Sequence, residues 1–369
     1  MWLRSDDGFR CGLLRVIKDL GISKRWVKDA LHKSNKALNT WFVRCSIDWE
    51  SRIVRGNAVK VIEGLLRKRF GWSETRMCEE MWRFVGVDVD EFRRHGIEPC
   101  TWFNGLEKLS DLKRPYWLGL RASDLVVKRC RGGIELILST TNAIDAIFFP
   151  TLLKTVKTPS PKIWLVRMAL PMVKYVSRPI ALSYYVDLGT NAWPWPIELS
   201  ADELERIFNG FSDEELAEFI AGMIDGDGSV RYIFGDNNAY VYVEIVACEE
   251  CHKSYILNML RNVIAERFGI VGNIESRRAA SVLMFSGKDA IKLLRRMVKY
   301  VHHPLRRLRA ELILALYDDK ISKDEFTKLY EQTKYERGRD DIKRNHGLEA
   351  LARAAPQTHT HGVKQKRGT

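Results

Sequence analysis

The sequence has no long apolar run. The longest, IWLVRMALPMV, contains Arg167 and Pro171, whereas a membrane-spanning helix needs about 20 mainly apolar residues. The opening residues, MWLRSDDGFR, carry two aspartates and no apolar stretch, so they do not have the pattern of a secretory signal. These absences predict a protein without membrane association that works inside the cell, in the cytoplasm or in an organelle.

Cysteine and negative charge are both scarce. Seven cysteines, an odd number, in 369 residues do not form a disulfide scaffold and favour a reducing compartment. Asp and Glu total 47 against 60 Lys and Arg, a net charge of +13. Such an excess indicates a polyanionic partner, most often nucleic acid, although a basic surface also serves solubility.

Residues 1–110 have helical periodicity. In LLRVIKDLGISKRWVKDALHKS, Gly21 interrupts the pattern and Ser23 can cap a second helix, which is the outline of a helix-turn-helix unit. RFGWSETRMCEEMWRF repeats this layout with Gly71 and Ser73. We therefore expect an all-helical region that binds DNA through one helix-turn-helix unit or a tandem pair of them, and the alternative is an ordinary small helical domain. The basic residues of the first candidate recognition helix are Lys24, Arg25 and Lys28.

From residue 111 the pattern changes to short strands alternating with helices, which predicts an α+β fold. The second half has the order helix, two strands, helix, two strands, helices, and the segment before it has the same order with a less clear last helix. The expected units are 111–200 and 201–332. A basic, polar tail at 333–369 is expected to be flexible.

The stretch IAGMIDGDG lies at the end of a predicted helix. Ser212 and Glu215 form a capping box at the start of this helix. Gly222 and Gly226 lie one turn apart on one face. Glycine inside a helix costs about 1 kcal/mol relative to alanine, so this face predicts the close approach of another backbone.

A second stretch, WLGLRASDL, has the same spacing of small residues. Gly119, Ser123 and Asp124 each precede Gly222, Gly226 and Asp227 by 103 residues, the length of one domain. The chain therefore has two copies of one unit, and packing of the two helices through their small residues would bring Asp124 and Asp227 together. Two adjacent carboxylates repel unless a cation lies between them, and oxygen ligands of this kind suit Mg²⁺. In a basic chain this combination favours metal-assisted phosphodiester hydrolysis.

IAGMIDGDG is similar to the motif that names the LAGLIDADG homing endonucleases, and WLGLRASDL resembles the diverged first copy of their monomeric, two-motif members. The resemblance implies a pseudo-symmetric pair of αββαββα units whose motif helices form the central interface. It also implies two saddle-shaped sheets in the DNA major groove, Mg²⁺ or Mn²⁺ at the motif acids, and cleavage of both strands of a long asymmetric site. The expected partner is double-stranded DNA, with intron RNA as a second candidate, and the expected state is a monomer.

The resemblance also implies roles for individual residues. Asp227 and Asp124 correspond to the metal-binding catalytic acids, and the residues before them, Gly226 and Ser123, are further candidate metal ligands. In HHPLRRLRAEL, Arg306 corresponds to a basic group near the metals.

The DNA-contacting residues follow from strand alternation, since alternate side chains of a strand face opposite sides of a sheet. In AYVYVEIV, Val241, Val243 and Ile245 are expected to face the core. The side chains expected to face DNA are Arg231, Tyr240, Tyr242, Glu244 and Arg277 in the second unit, and Lys128 and Glu135 in the first. For each of these, a solvated strand face is the alternative.

The first motif departs from the family pattern in two places. Leu125 replaces the glycine after the acid, and Ala122 stands where the second motif has Asp225. Asymmetric or single-strand cleavage is therefore an open alternative. A second alternative is a protein that binds without cutting, such as an intron maturase or a WhiA-type transcription regulator. The regulators carry a helix-turn-helix domain, and the one predicted here, although N-terminal, keeps this alternative open.

Overall fold

The structure is a computed structural model. It describes residues 75, 78–79, 81–82, 86–130, 132–140, 143–156, 162–167, 180–234, 239–248, 254–277 and 280–334. Most of the predicted helix-turn-helix region, including Lys24, Arg25 and Lys28, and the predicted tail after residue 334 lie outside the described residues. Among the described helices, none is both long and apolar enough to span a membrane.

The first half of the described chain contains one four-stranded antiparallel sheet. Its elements are helices α1 (Val89–Arg94), α2 (Pro115–Ala122) and α3 (Ala143–Thr155), and strands β1 (Val126–Cys130), β2 (Gly133–Thr140), β3 (Lys162–Arg167) and β4 (Ile180–Leu188). Two 3₁₀ turns, Thr101–Phe103 and Leu106–Ser110, connect α1 to α2. The strand order in the sheet is β1-β2-β4-β3. From α2 onwards the elements follow the predicted order along the chain, helix, two strands, helix, two strands.

The second half repeats this topology. Its elements are helices α4 (Ala201–Gly210), α5 (Asp213–Asp227), α6 (Ser254–Phe268), α7 (Gly287–Met297), α8 (Pro304–Tyr317) and α9 (Lys323–Glu331), a 3₁₀ turn at Val298–Tyr300, and strands β5 (Gly228–Phe234), β6 (Ala239–Cys248), β7 (Asn273–Arg277) and β8 (Ala280–Ser286). The strand order β5-β6-β8-β7 matches that of the first sheet. The fold is therefore α+β, with two similar antiparallel sheets.

Each sheet has one apolar face packed on helices. Val241, Val243 and Ile245 of β6 are completely buried, as their alternation predicted. In the first sheet, Leu136 and Leu138 of β2 are buried in the same way. Because both apolar faces belong to one continuous core, the opposite face of each sheet remains available for polar side chains.

The segment before α2 packs against α8 and the end of α9, the last helices that the structure describes. Thr101 donates hydrogen bonds of 2.9 and 2.8 Å to the Glu311 carboxylate of α8, and the Asp88 amide donates one of 2.8 Å to Gln332. These contacts join residues separated by 210 and 244 positions. The segment that leads into the first sheet is therefore anchored on helices that follow the second.

Cys78 and Cys100 form a disulfide. The small and odd number of cysteines predicted that the chain lacks a disulfide scaffold, and it did not identify this pair. The two cysteines lie on either side of α1 in the sequence, and two buried tryptophans, Trp82 and Trp102, lie near them. Trp82 Nε1 donates a 2.9 Å hydrogen bond to the carbonyl of Pro99, the residue before Cys100.

Candidate functional site

The two motif helices, α2 and α5, lie side by side at backbone contact. A Cβ atom on Gly119 would lie 2.0 Å from the Phe219 carbonyl oxygen, and one on Gly222 would lie 2.1 Å from the Tyr116 carbonyl oxygen. Real Cβ atoms do not approach other atoms so closely, so only glycine fits at these two positions. The predicted close packing through small residues is confirmed.

The same packing continues to the ends of both helices. A Cβ atom on Gly226 would lie 2.1 Å from Ser123 Oγ and 3.0 Å from the Asp124 amide nitrogen. The contacts pair the start of α2 with the middle of α5 and the end of α2 with the end of α5, so the helices run in parallel. Their last turns therefore deliver Asp124 and Asp227 to one place.

The carboxylates of Asp124 and Asp227 are in hydrogen-bond contact. Asp124 keeps an exposed surface although protein atoms are dense around it, and Asp227 is half-buried. Removal from bulk water, followed by the charge of Asp227, raises the pKa of Asp124 well above its usual range, and Arg306 partly opposes this shift. The pair therefore favours either a shared proton or a cation.

Arg306 of α8 caps the C-terminal end of α5. Its guanidinium donates to the Asp225 carbonyl, to the Gly226 carbonyl at 2.7 Å and to the Gly228 carbonyl at 2.9 Å. The final carbonyls of a helix have no partners within the helix, and a cation there also interacts favourably with the helix dipole. Arg306 thus lies beside the acids as expected, but its donors are directed at carbonyls that hold the Asp227 turn in place.

The further candidate metal ligands, Gly226 and Ser123, have backbone and hydroxyl groups that are already engaged. The Gly226 carbonyl accepts from Arg306. Ser123 Oγ donates within its own helix, to the carbonyls of Gly119 and Leu120 at 3.1 Å each. Their roles as ligands remain a prediction.

Asp225 is completely buried and serves a different purpose from Asp227. Its Oδ2 accepts from the Tyr116 hydroxyl at 2.9 Å and from the backbone amides of His302 and His303 at 2.6 and 2.9 Å. Burial raises its pKa to about 7, against the effect of Arg306 and these hydrogen bonds. Asp225 therefore joins both motif helices to the start of α8.

Asp145 and His303 form a second polar group near the acids that the sequence reasoning did not identify. His303 Nε2 donates 2.7 Å to Asp145 Oδ1, because the other ring nitrogen, Nδ1, accepts from the Arg306 amide at 3.4 Å. Burial raises the pKa of Asp145, but the hydrogen bond and charge of His303 together with Arg306 bring it below its usual value. Burial also lowers the pKa of His303 to about 4, so the imidazole is neutral at pH 7. An acid within the apolar helix IDAIFFPTLL was the available signal.

The polar face of the second sheet carries all five residues predicted there. Tyr240 is exposed and its ring stacks near that of Tyr242, with centroids 6.3 Å apart. Arg231 lies over the Tyr242 ring at 5.7 Å. Glu244 is on this face but buried, and binds both Arg231 and Arg277. Glu244 therefore binds the two arginines and is not itself exposed for contact with DNA.

The polar face of the first sheet has a simpler pair. Lys128 of β1 is directly opposite Glu135 of β2, and Lys128 Nζ lies 2.8 Å from Glu135 Oε2. The register also places Tyr185 and Asp187 of β4 beside these strands on the same face. Alternation within β2 alone could not identify these two neighbours.

The donors present are suited to a divalent cation that retains water ligands. Asp124 and Asp227 supply two carboxylates, and no cluster of three or more Asp, Glu, His or Cys side chains with metal-binding geometry occurs in the part of the chain that the structure describes. Mg²⁺ commonly uses one or two carboxylates and completes its shell with water and phosphate oxygens. The pair therefore fits Mg²⁺ or Mn²⁺ better than a metal that needs a full protein cage.

No family model and no curated protein matches this chain. Solved structures that match include the homing endonuclease I-WcaI bound to its DNA recognition sequence, with 12% identity over 60% of this chain and 98% of that chain and a TM-score of 0.36. I-DmoI in complex with DNA and Ca matches with 17% identity over 53% and 91% and a TM-score of 0.34. Full-length DUF199/WhiA from Thermatoga maritima matches with 15% identity over 69% and 71% and a TM-score of 0.37.

At these scores the matches add no argument about the activity of this chain. Its likeness to LAGLIDADG proteins is carried by its own features: the two glycine-packed helices, the acid at the end of each, and the two sheets of equal strand order.

Proposed function

We propose that this chain is a sequence-specific, divalent-metal-dependent DNA endonuclease of the homing type. It acts as a monomer with an internal pseudo-two-fold axis and makes a double-strand cut at a long asymmetric site. The observation that carries this proposal is the contact between the Asp124 and Asp227 carboxylates at the adjoining ends of two parallel helices.

In this proposal Asp124 and Asp227 hold Mg²⁺ or Mn²⁺. When bound, such an ion stabilises the negative charge that develops on a phosphate and increases the acidity of a bound water. The residues of the chain hold this site in position. Gly119 and Gly222 set the distance between the helices, and Arg306 prevents the last turn of α5 from fraying.

The polar faces of the two sheets would hold the duplex. Each face begins near a motif acid: β1 begins two residues after Asp124, and β5 begins at the residue after Asp227. A strand that leaves the acid carries its outward side chains progressively farther from the scissile phosphates. Lys128 and Arg231, each four residues after its acid, are therefore in equivalent positions on the two halves.

The surroundings of the two acids differ, which favours unequal cutting of the two DNA strands. Arg306 donates to the helix that ends at Asp227. Asp145, which is hydrogen-bonded to His303, adds negative charge near Asp124. Strand-resolved cleavage would report the two sites separately.

The proposal is tested by selecting a bound site from a randomised duplex pool and then adding Mg²⁺ or Mn²⁺ to the isolated complex. We expect cleavage of both strands by the wild-type chain. Asp227→Asn should keep duplex binding and lose cleavage of at least one strand. Binding by the wild-type chain without any cleavage in either metal would refute nuclease activity.

A non-cutting nucleic-acid binder, either a WhiA-like regulator or an intron maturase, is the second candidate. One observation favours it: the guanidinium of Arg306 is engaged with three carbonyls, which leaves it poorly placed to assist a reaction. A regulator would bind the selected duplex and leave it intact. A maturase would bind a structured intron RNA more tightly than any duplex DNA.

A further inference from the structure

Glu244 is a buried carboxylate on the polar face of the second sheet. It is 4% exposed and accepts from three side chains: Arg231 Nη2, Arg277 Nη1 at 3.1 Å and Ser229 Oγ at 3.0 Å. These donors come from two strands on either side of β6. A charge is kept in such a place only when it is paired and hydrogen-bonded, so Glu244 holds this cluster together.

The two arginines are held without being covered. Arg277 is also bound by Glu275, at 3.0 and 2.7 Å, and Arg231 rests over the Tyr242 ring. The side chain of Arg231 is nevertheless 38% exposed and that of Arg277 is 43% exposed. A flexible side chain that is already ordered loses less freedom on binding, so both guanidinium groups are preorganised. All three nitrogens of Arg277 already donate to Glu244 or Glu275, so Arg231 is the better placed of the two to bind a partner.

The described residues leave donors of Arg231 available. Its only hydrogen bond among them is made through Nη2, whereas a guanidinium has five N–H donors in a planar fork. Its Nε is buried, so the donors left for a partner are those of Nη1 and the second hydrogen of Nη2. Such a fork matches the O6 and N7 acceptors of guanine in the major groove. The exposed edge of Arg231 therefore has the shape and charge that recognise this base.

The equivalent position of the first sheet has a weaker reader. Lys128, like Arg231, lies four residues after its acid. Its ammonium is bound by Glu135, and its side chain is 51% exposed. An ammonium is a point charge on a flexible stem and cannot form the two parallel bonds of a guanidinium. The first sheet should thus discriminate less strictly between bases.

We infer that Glu244 is a positioning residue for base recognition: it orients Arg231 to read guanine in the half of the duplex that the second sheet covers, and Arg277 completes the cluster that holds Glu244 in place. This inference rests on the proposed DNA binding and goes beyond it, because it names the base, the half-site and the residue that controls the preference. Glu135 has the corresponding place beside Lys128 and supplies a matched control.

The test is selection from a randomised duplex pool without Mg²⁺ or Mn²⁺, with the full-length wild-type chain, Arg231→Ala, Arg231→Lys, Glu244→Gln and the control Glu135→Gln. We expect at least one guanine in one half of the wild-type site, preferred roughly tenfold or more over other bases. The three variants of the second sheet should lose that preference, and Glu244→Gln should bind non-specific duplex at least as tightly as the wild type. Glu135→Gln should change preferences in the other half only.

The outcomes separate this inference from the proposed function. If the wild type enriches no duplex site, both fail. If it enriches a site whose guanine preference persists in Glu244→Gln and Arg231→Lys, DNA binding stands and the inference is overturned. If thermal melting shows that Glu244→Gln is unfolded, Arg231→Lys decides, because it keeps the positive charge and removes only the fork.

Discussion

The Tyr116 hydroxyl donates a 2.9 Å hydrogen bond to Asp225 Oδ2 across the interface between the two motif helices. The same oxygen accepts two backbone amides at the start of α8, so one buried atom connects three helices. The corresponding residue of the first motif is Ala122, and the link is therefore made once. The interface is symmetric in its glycines and asymmetric in this acid.

The stability of the protein should depend on the protonation of Asp225. Its folded pKa is about 7 because of burial, whereas an aspartate in an unfolded chain has a pKa of about 3.9. Between these values the folded state binds a proton that the unfolded state has released. The ionisation of Asp225 thus lowers the free energy of unfolding as the pH rises through this range.

Asp225→Asn removes this dependence and keeps an oxygen acceptor. We expect the free energy of unfolding of the variant minus that of the wild type to increase between pH 4 and pH 7, by roughly 3–4 kcal/mol at most. Urea denaturation at several pH values measures it. Burial lowers the pKa of His302 and His303 to about 4, which has the opposite effect on stability, but both proteins contain them. A difference that does not vary with pH would contradict the account.

Gly222→Ala should disrupt the pairing of the motif helices. The added Cβ would lie 2.1 Å from the Tyr116 carbonyl oxygen and 3.0 Å from the Leu120 amide, and neither backbone can move alone. Overpacking of this kind costs about 1–3 kcal/mol or more, so the melting temperature should fall clearly. Gly210→Ala is the control, because Gly210 is the exposed last residue of α4 and has no atom within 4 Å of such a Cβ. An equal effect of both variants would argue against the close approach.

Arg306→Lys distinguishes capping from a catalytic charge. Lysine keeps the positive charge but cannot bridge the carbonyls of Asp225, Gly226 and Gly228. If Arg306 acts by holding the last turn of α5, cleavage should fall on the order of tenfold to a hundredfold, with duplex binding retained.

Arg307→Lys is the matched control, since Arg307 binds Glu311 and the Val298 carbonyl, away from the acids. Full activity of Arg306→Lys, measured as single-turnover cleavage, would show that the charge alone matters.

The sequence predicted those parts of the site that depend on local spacing. Gly222 and Gly119 were identifiable because a helix rarely contains a glycine without a packing reason, and the strand faces followed from alternation in β6. The partners of Asp225 were not identifiable, because His302 lies 77 residues away and contributes a backbone amide that every residue has. The burial of Glu244 depends on arginines that reach it from two other strands, so it cannot be predicted from the sequence of any one strand.

We propose that Asp124 and Asp227 share one cation. Thermal melting of the protein with and without Mn²⁺ is the most direct test of this sharing. Because the adjacent carboxylates repel, we expect Mn²⁺ to raise the melting temperature of the wild type by binding to the folded state. Asp124→Asn and Asp227→Asn relieve the repulsion, so each should melt at a higher temperature than the wild type without metal and should not respond to Mn²⁺. An equal Mn²⁺ response in all three proteins, or none in the wild type, would contradict the shared site.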